Sequence, residues 1–472
     1  MSKRRGKHPK LENLTITDIG SEGKAIAKYN DIVVFIPNAI PGDIVDVQIN
    51  RKKKNYMEGY VVQFHKFSDE RIKPACEHFG VCGGCKWQML PYEKQLFYKH
   101  QQVKDNLERL GKIELPEFLP IMPSKNTLHY RNKLEYTFSN KRWLTKDEID
   151  SENDIKDMNA LGFHIPKKFD KILDIKNCYL QASPSNDIRL AVKEFASKNN
   201  YDFYDIRDHD GYLRNLIIRT STTRNVMVII SFHHSDKEKQ EALLNHLHEK
   251  FPEITALMYV INPKKNETFK GLEIKLYKGK DYIIEKMGNL QFKISAKSFY
   301  QTNSEQAYQL YKIVEDFAEF KNNDIVYDLY TGTGTIANFV ANKCSKVIGI
   351  EYIEDAIINA KENSKLNNIT NTLFFAGDIK DLLNNDFTKA NGKPDIIITD
   401  PPRVGMHKDV ISSILEISPK KIVYVSCNPA TQARDLSLLD EKYKVEKVQP
   451  VDMFPHTHHV ENVVKLVLRN DF

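Results

Sequence analysis

The chain of 472 residues holds only six cysteines, unevenly spread. So few in so long a chain exclude a disulfide scaffold, and their clustering points to metal binding or catalysis in a reducing compartment. No run of about 18 apolar residues occurs, so no segment is expected to span a membrane. The opening MSKRRGKHPK is basic, but no apolar stretch follows, and it does not read as a secretory signal. A cytoplasmic protein is the expectation. Strong charge imbalance is missing too: a formal net charge of +6 is too small to mark a nucleic-acid binder by itself.

What remains is an ordinary globular composition, 41% hydrophobic and 28% charged, in a chain too long for one core. About three domains are expected. Charge is concentrated locally. Residues 1–10 form a tail with five Lys or Arg and no acid, and Arg51-Lys52-Lys53-Lys54 is a second basic run. Such runs attract phosphate backbones, although a solvated tail needs no partner.

Residues 11–68 read as all-β. Ile32–Ile36, Ile44–Ile49 and Gly59–Phe64 are short strands, punctuated by Ser21-Glu22-Gly23 and Pro41-Gly42-Asp43. Several strands in so short a stretch predict an OB-like β-barrel. The segments DIGSEGKAIAKY and FIPNAIPGD resemble the TRAM domain of RNA-modifying enzymes.

Cys76, Cys82 and Cys85 follow, with Gly83 and Gly84 between the last two. This spacing implies metal ligation, but three thiolates leave a tetrahedral site incomplete. Cys178 is the best fourth candidate, since Cys344 and Cys427 belong to a later domain. Spacing alone does not choose between zinc and an iron–sulfur cluster. Pro91–Leu110 reads as a helix whose apolar face is Leu96, Val103, Leu107 and Leu110; packing on the catalytic half is the alternative to placing it in the central domain. Residues 69–298 otherwise form a central α+β domain. Within it Arg131–Phe138 is a strand, residues 144–159 an exposed loop, and Arg214–Arg219 with Val226–Phe232 a strand pair.

From residue 299 to 472 strands and helices alternate, predicting a Rossmann-like, doubly wound parallel sheet. Gly332 and Gly334 let backbone approach a ligand at the first strand–helix turn, and Glu351 closes the second strand where an acid can hold ribose hydroxyls. These features fit a dinucleotide and S-adenosylmethionine equally. Asp378, after the third strand, suits an adenine edge. Asp400-Pro401-Pro402-Arg403 favours the methyl donor, because its prolines stiffen a loop at the cofactor's reacting end; a rigid turn is the plainer reading. Lys421–Pro429, KIVYVSCNP, ends a buried strand on Cys427, at the sheet edge where α/β folds place ligands. Alone, Cys427 would pass for a packed core thiol.

Together with FYQTN at 299–303, DLYTGTGT at 328–335 and PHTHHVEN at 455–462, these motifs make the chain resemble the RNA uracil-C5 methyltransferase family. The likeness is greatest to its 23S ribosomal RNA branch, which carries a TRAM domain and an iron–sulfur cluster. Thr331 stands where relatives often have cysteine, with little effect expected. The resemblance implies Cys427 as nucleophile and Glu461 as general base. It implies Gln301, Tyr330, Glu351 and Asp400 as contacts of S-adenosylmethionine, with Asp378 and Thr335 more peripheral. It further implies a [4Fe-4S] cluster on Cys76, Cys82, Cys85 and Cys178, zinc being the alternative.

A flipped or looped uracil would enter, held by the TRAM-like barrel, the basic runs, Arg131 and Lys133. His456, His458 and His459 would shape the base's loop and meet RNA phosphates; a metal site there lacks further ligands. A monomer is expected. Rivals are the same reaction on the T-loop uridine of transfer RNA, an amino-group methyltransferase that would not need Cys427, and a non-catalytic RNA-binding or assembly factor.

Overall fold

The structure is a computed structural model describing residues 8–151 and 157–469. Residues 1–7 of the basic tail and residues 152–156 of the expected loop lie outside the described residues; within that loop, Lys146–Asp150 forms a short helix. Lys10, assigned to the tail by its charge, opens the first strand.

The N-terminal unit is a six-stranded sheet in the order Lys10–Thr15, Ile44–Lys52, Tyr56–Lys66, Ile32–Ile36, Ala25–Tyr29 and Asp18–Ile19. Alternate residues, among them Val45, Val47 and Ile49 with Val34 and Ile36, face one core, as the two-residue pleat requires. The Pro41–Asp43 turn is locked by Asp43, which accepts from the backbone of Ile40 and Ser68 and pairs with Arg71 at 2.6 Å.

Seven strands make the central sheet, in the order Lys168–Asp174, Ala160–Ile165, Lys133–Ser139, Leu213–Thr220, Val226–Phe232, Ile254–Ile261 and Ile274–Gly279. Leu213–Thr220 and Val226–Phe232 pair antiparallel, and only Val226–Phe232 with Ile254–Ile261 runs parallel. One apolar core crosses from this sheet into the C-terminal half: Met227 and Met258 pack with Ile283 and Phe292 of a hairpin and with Val314 of helix Ser304–Ala318.

The C-terminal sheet has eight strands, in the order Thr372–Ala376, Lys346–Glu351, Ile325–Leu329, Ile396–Thr399, Lys421–Ser426, Glu461–Leu468, Tyr443–Val451 and Glu117–Phe118. The first five run parallel, and Glu461–Leu468 is antiparallel to both its neighbours. Strand order reverses between Ile325–Leu329 and Ile396–Thr399, opening a crevice at their carboxyl ends.

The segment after the cysteine run belongs physically to this half. Its helix, Tyr92–Asn106, continues through Leu107–Gly111 and buries Val103 and Leu107 among Ile397, Tyr424 and Ala433. The buried face differs from the apolar periodicity in the sequence. Gln95 and Lys99 are fully buried alongside Val103 and Leu107, while Leu96 is half-buried and Leu110 is 57% exposed. Polar residues occupy the inner stripe because their partners lie far along the chain.

Candidate active site

Ile422, Val423, Tyr424 and Val425 are all inaccessible to solvent, and the strand ends at Ser426. Asn428 caps the next helix, Pro429–Leu439, by accepting from Ala430 N at 3.2 Å, with Pro429 in its first turn. Cys427 is therefore held between a core strand and a capped helix. Its neighbour Glu461 comes from the antiparallel strand. Ser426 and Asn462 form the last rung between the two strands; Cys427 follows it and Glu461 precedes it, so both lie at the same end of the sheet, near enough for the Glu461 charge to act on the Cys427 thiol. Glu461 opens its strand and is 6% exposed.

Asp400 follows strand Ile396–Thr399 on the same edge, and its loop is tied to the cysteine turn. Asn428 Nδ2 and Thr431 Oγ1 both donate to Arg403 O, at 2.9 and 3.2 Å. Buried Asp435 accepts from Met406 N at 2.8 Å and from Tyr424 OH at 2.6 Å. Gly405, at φ +78°, passes so close that an added Cβ would meet Arg434 and Asp435 at 2.6 Å. These anchors keep Asp400, Arg403 and Cys427 together, and sequence reasoning missed Tyr424 and Asp435.

Three acidic groups thus share one poorly solvated place. Burial raises Asp400, and burial followed by the Asp400 charge raises Glu461, well above the usual carboxylate range. Burial, then the charges of Glu461 and Asp400, push the Cys427 thiol up to about 11. Arg403 opposes the rise at both Cys427 and Glu461.

The remaining candidates line the crevice. Tyr330 is left-handed at φ +63°, as are Gly332 and Gly334 at +55° and +73°. A Cβ on Gly332 would meet nothing within 4 Å, leaving open space above the turn. Glu351 reaches back to accept from Gly332 N at 3.2 Å, and Thr331 Oγ1 locks the turn by donating to Asp328 at 2.5 Å. Thr335 shares a hydrogen bond of 3.1 Å with Tyr311 OH. That buried phenol also senses the charges of Asp400 and Glu461, so Thr335 lies near the reacting end. Asp378 caps a short helix and pairs with Lys380 at 3.1 Å. Gln301 is fixed through its carbonyl, which accepts from Asn132 Nδ2 at 2.9 Å.

A second cysteine site lies across the central domain. Cys76, Cys82, Cys85 and Cys178, all unpaired and half-buried, line one cavity of about 850 Å³. Burial raises every one of these thiols, and at Cys82, Cys85 and Cys178 neighbouring sulfurs add to the rise. Gly84 N donates to Cys82 Sγ at 3.4 Å. Among the described residues no three His, Cys, Asp or Glu converge tightly enough for a single metal ion. A tetrahedral zinc would need its sulfurs roughly 3.8 Å apart. The four thiols and the cavity they line leave room for a thiolate-bound group.

Four expected RNA contacts differ from expectation. Arg131 turns inward, its guanidinium 5.5 Å from the Phe454 ring, with Nε buried and unpartnered. Burial also lowers His456 and His458 to about 4 and His459 to about 3, so all three are neutral at pH 7 and carry no charge to meet phosphate.

The chain is similar to known RNA-modifying enzymes. The family model described as tRNA (uracil-5-)-methyltransferase matches residues 217–469, and the TRAM domain model matches residues 10–62. An RNA methyltransferase of Bacteroides thetaiotaomicron is 58% identical over 96% of this chain and 100% of its own. One from Porphyromonas gingivalis is 55% identical over 96% and 99%. The crystal structure of Pyrococcus abyssi tRNA (uracil-54, C5)-methyltransferase with S-adenosyl-L-homocysteine superposes with a TM-score of 0.76 at 28% identity, covering 96% of this chain and 99% of that one. The family match spans over half the chain and the relatives span nearly all of it, which sets the non-catalytic reading aside: the chain belongs to the RNA uracil-5-methyltransferase family and is a methyltransferase with an N-terminal TRAM domain.

Proposed function

We propose that the protein methylates carbon 5 of a uracil in RNA through a transient bond between Cys427 and carbon 6. The observation that carries this reading is the gathering of Cys427, Glu461 and Asp400 at one end of the sheet, where both carboxyl charges act on the thiol. S-adenosylmethionine, when bound, supplies a methyl group activated by a sulfonium. Gln301, Tyr330, Glu351 and Asp400 would hold it, with Asp378 and Thr335 at its margins; the open left-handed turn at Gly332 supports that placement.

As a thiolate, Cys427 adds to carbon 6 and makes carbon 5 nucleophilic. After methylation Glu461, as carboxylate, takes the carbon-5 proton, and the thiolate leaves. Both groups are protonated more readily than usual in the free site, which spares it two adjacent anions. Positive charge brought in beside Asp400 favours their ionised forms.

We assign the substrate to 23S ribosomal RNA and the four-cysteine cavity to a [4Fe-4S] cluster of structural role, since no step transfers an electron. The TRAM domain and the cysteine set support this assignment. Transfer RNA is the second reading, favoured by the Pyrococcus abyssi structure. Mapping 5-methyluridine in RNA from cells lacking the protein tests both. Loss from 23S RNA alone is expected, loss from the T-loop alone selects transfer RNA, and retention in both overturns the proposal.

A further inference from the structure

The hairpin connection 452–460 joins Val451 to its rung partner Glu461, and one face of helix Tyr92–Asn106 grips it. Tyr92, Gln95 and Lys99, spaced three and four apart, project from that face. Tyr92 OH donates to Asp452 Oδ2 at 2.8 Å, and Lys99 Nζ donates to Asp452 Oδ1 at 2.6 Å and to Phe454 O at 3.0 Å. Gln95 Oε1 accepts from His456 N at 2.8 Å, while its Nε2 donates to Trp87 O and Leu90 O at 3.1 and 2.9 Å.

His456 adopts φ +65°, which a non-glycine residue keeps only when its surroundings impose it. Its carbonyl accepts from Lys86 N and Trp87 N at 2.7 and 3.0 Å, so the peptide is held on both sides. Stability does not explain such a grip. Lys99 and Asp452 are both wholly buried, and a buried ion pair of this kind generally stabilises no better than apolar packing of equal volume. What it supplies is a single geometry for the loop.

We propose that Tyr92, Gln95 and Lys99 are positioning residues for Glu461, setting the path of the hairpin so that its carboxylate reaches the carbon-5 proton. The inference rests on the reading above. In the step concerned the C5–H bond breaks and the proton passes to Glu461. The electron pair forms the C5–C6 double bond, and the C6–S bond breaks, releasing Cys427 as thiolate. Attack and methyl transfer precede it and do not need the base.

The test uses Tyr92→Phe and Gln95→Met full-length holoenzymes with whichever unmodified transcript, 23S or transfer RNA, the wild type methylates. Tritiated S-adenosylmethionine labels the RNA–protein adduct resolved on denaturing gels. Methylated adduct is expected to accumulate roughly tenfold over wild type while kcat falls and KM for the cofactor stays. Adduct at wild-type level in Tyr92→Phe, which loses a single oxygen, overturns the assignment whatever happens to Gln95→Met. Glu461→Gln is the reference: no adduct in that variant overturns the underlying mechanism instead.

Discussion

The protein carries two cysteine sites built by opposite means. Cys427 is placed by a regular sheet whose core strand, capped helix and antiparallel partner leave its backbone no alternative. Cys76, Cys82 and Cys85 sit on irregular backbone and meet Cys178 only across a roomy cavity. A nucleophile must be in position before its substrate arrives, so its order comes from main-chain hydrogen bonds. Ligands of a bound group can take final order from that group, since binding energy is then folding energy.

The contrast can be broken by experiment. Cys427→Ala should lower methyl incorporation to background, the largest effect expected, yet shift Tm by no more than about 2 °C, because the sheet does not depend on that sulfur. Cys85→Ser should lower Tm by roughly 5 °C or more and remove the visible absorbance that the proposed cluster would give protein purified without oxygen. Equal thermal behaviour of the two variants would erase the distinction.

A subtler test is pH. The folded state holds Glu461 and Asp400 protonated above the unfolded carboxylate range, so it binds more protons than the unfolded chain there. The protein without ligands should lose stability as pH rises from about 5 through neutrality. Glu461→Gln, which never ionises, should be more stable than wild type at pH 8 by on the order of 2 kcal/mol in urea unfolding. A pH-independent difference would mean that the carboxyl is already ionised in the native site.

Much of the site was legible in the sequence because its parts are local. KIVYVSCNP spells a buried strand, a stop and a helix cap in nine consecutive residues, and the glycines of DLYTGTGT mark a left-handed turn. Glu461 was not legible by spacing, since it nears Cys427 only because its strand runs antiparallel to Lys421–Ser426; resemblance named it. The helix after the cysteines was misread in detail. Its inner stripe adds Gln95 and Lys99 to Val103 and Leu107, and no periodic pattern announces a buried polar residue whose partner lies hundreds of positions away. The inward turn of Arg131 onto Phe454 was hidden for the same reason.

The bond from Lys99 to Asp452 spans 353 residues of chain. A ribosome adding about 5–20 residues per second delivers the second partner roughly 20–70 s after the first. Throughout that interval the early helix and the short strand Glu117–Phe118, whose neighbour is Tyr443–Val451, have no native seat. Strands Tyr443–Val451 and Glu461–Leu468 close the catalytic half, so a nascent chain released before they are made cannot assemble a working enzyme however well its TRAM domain has folded.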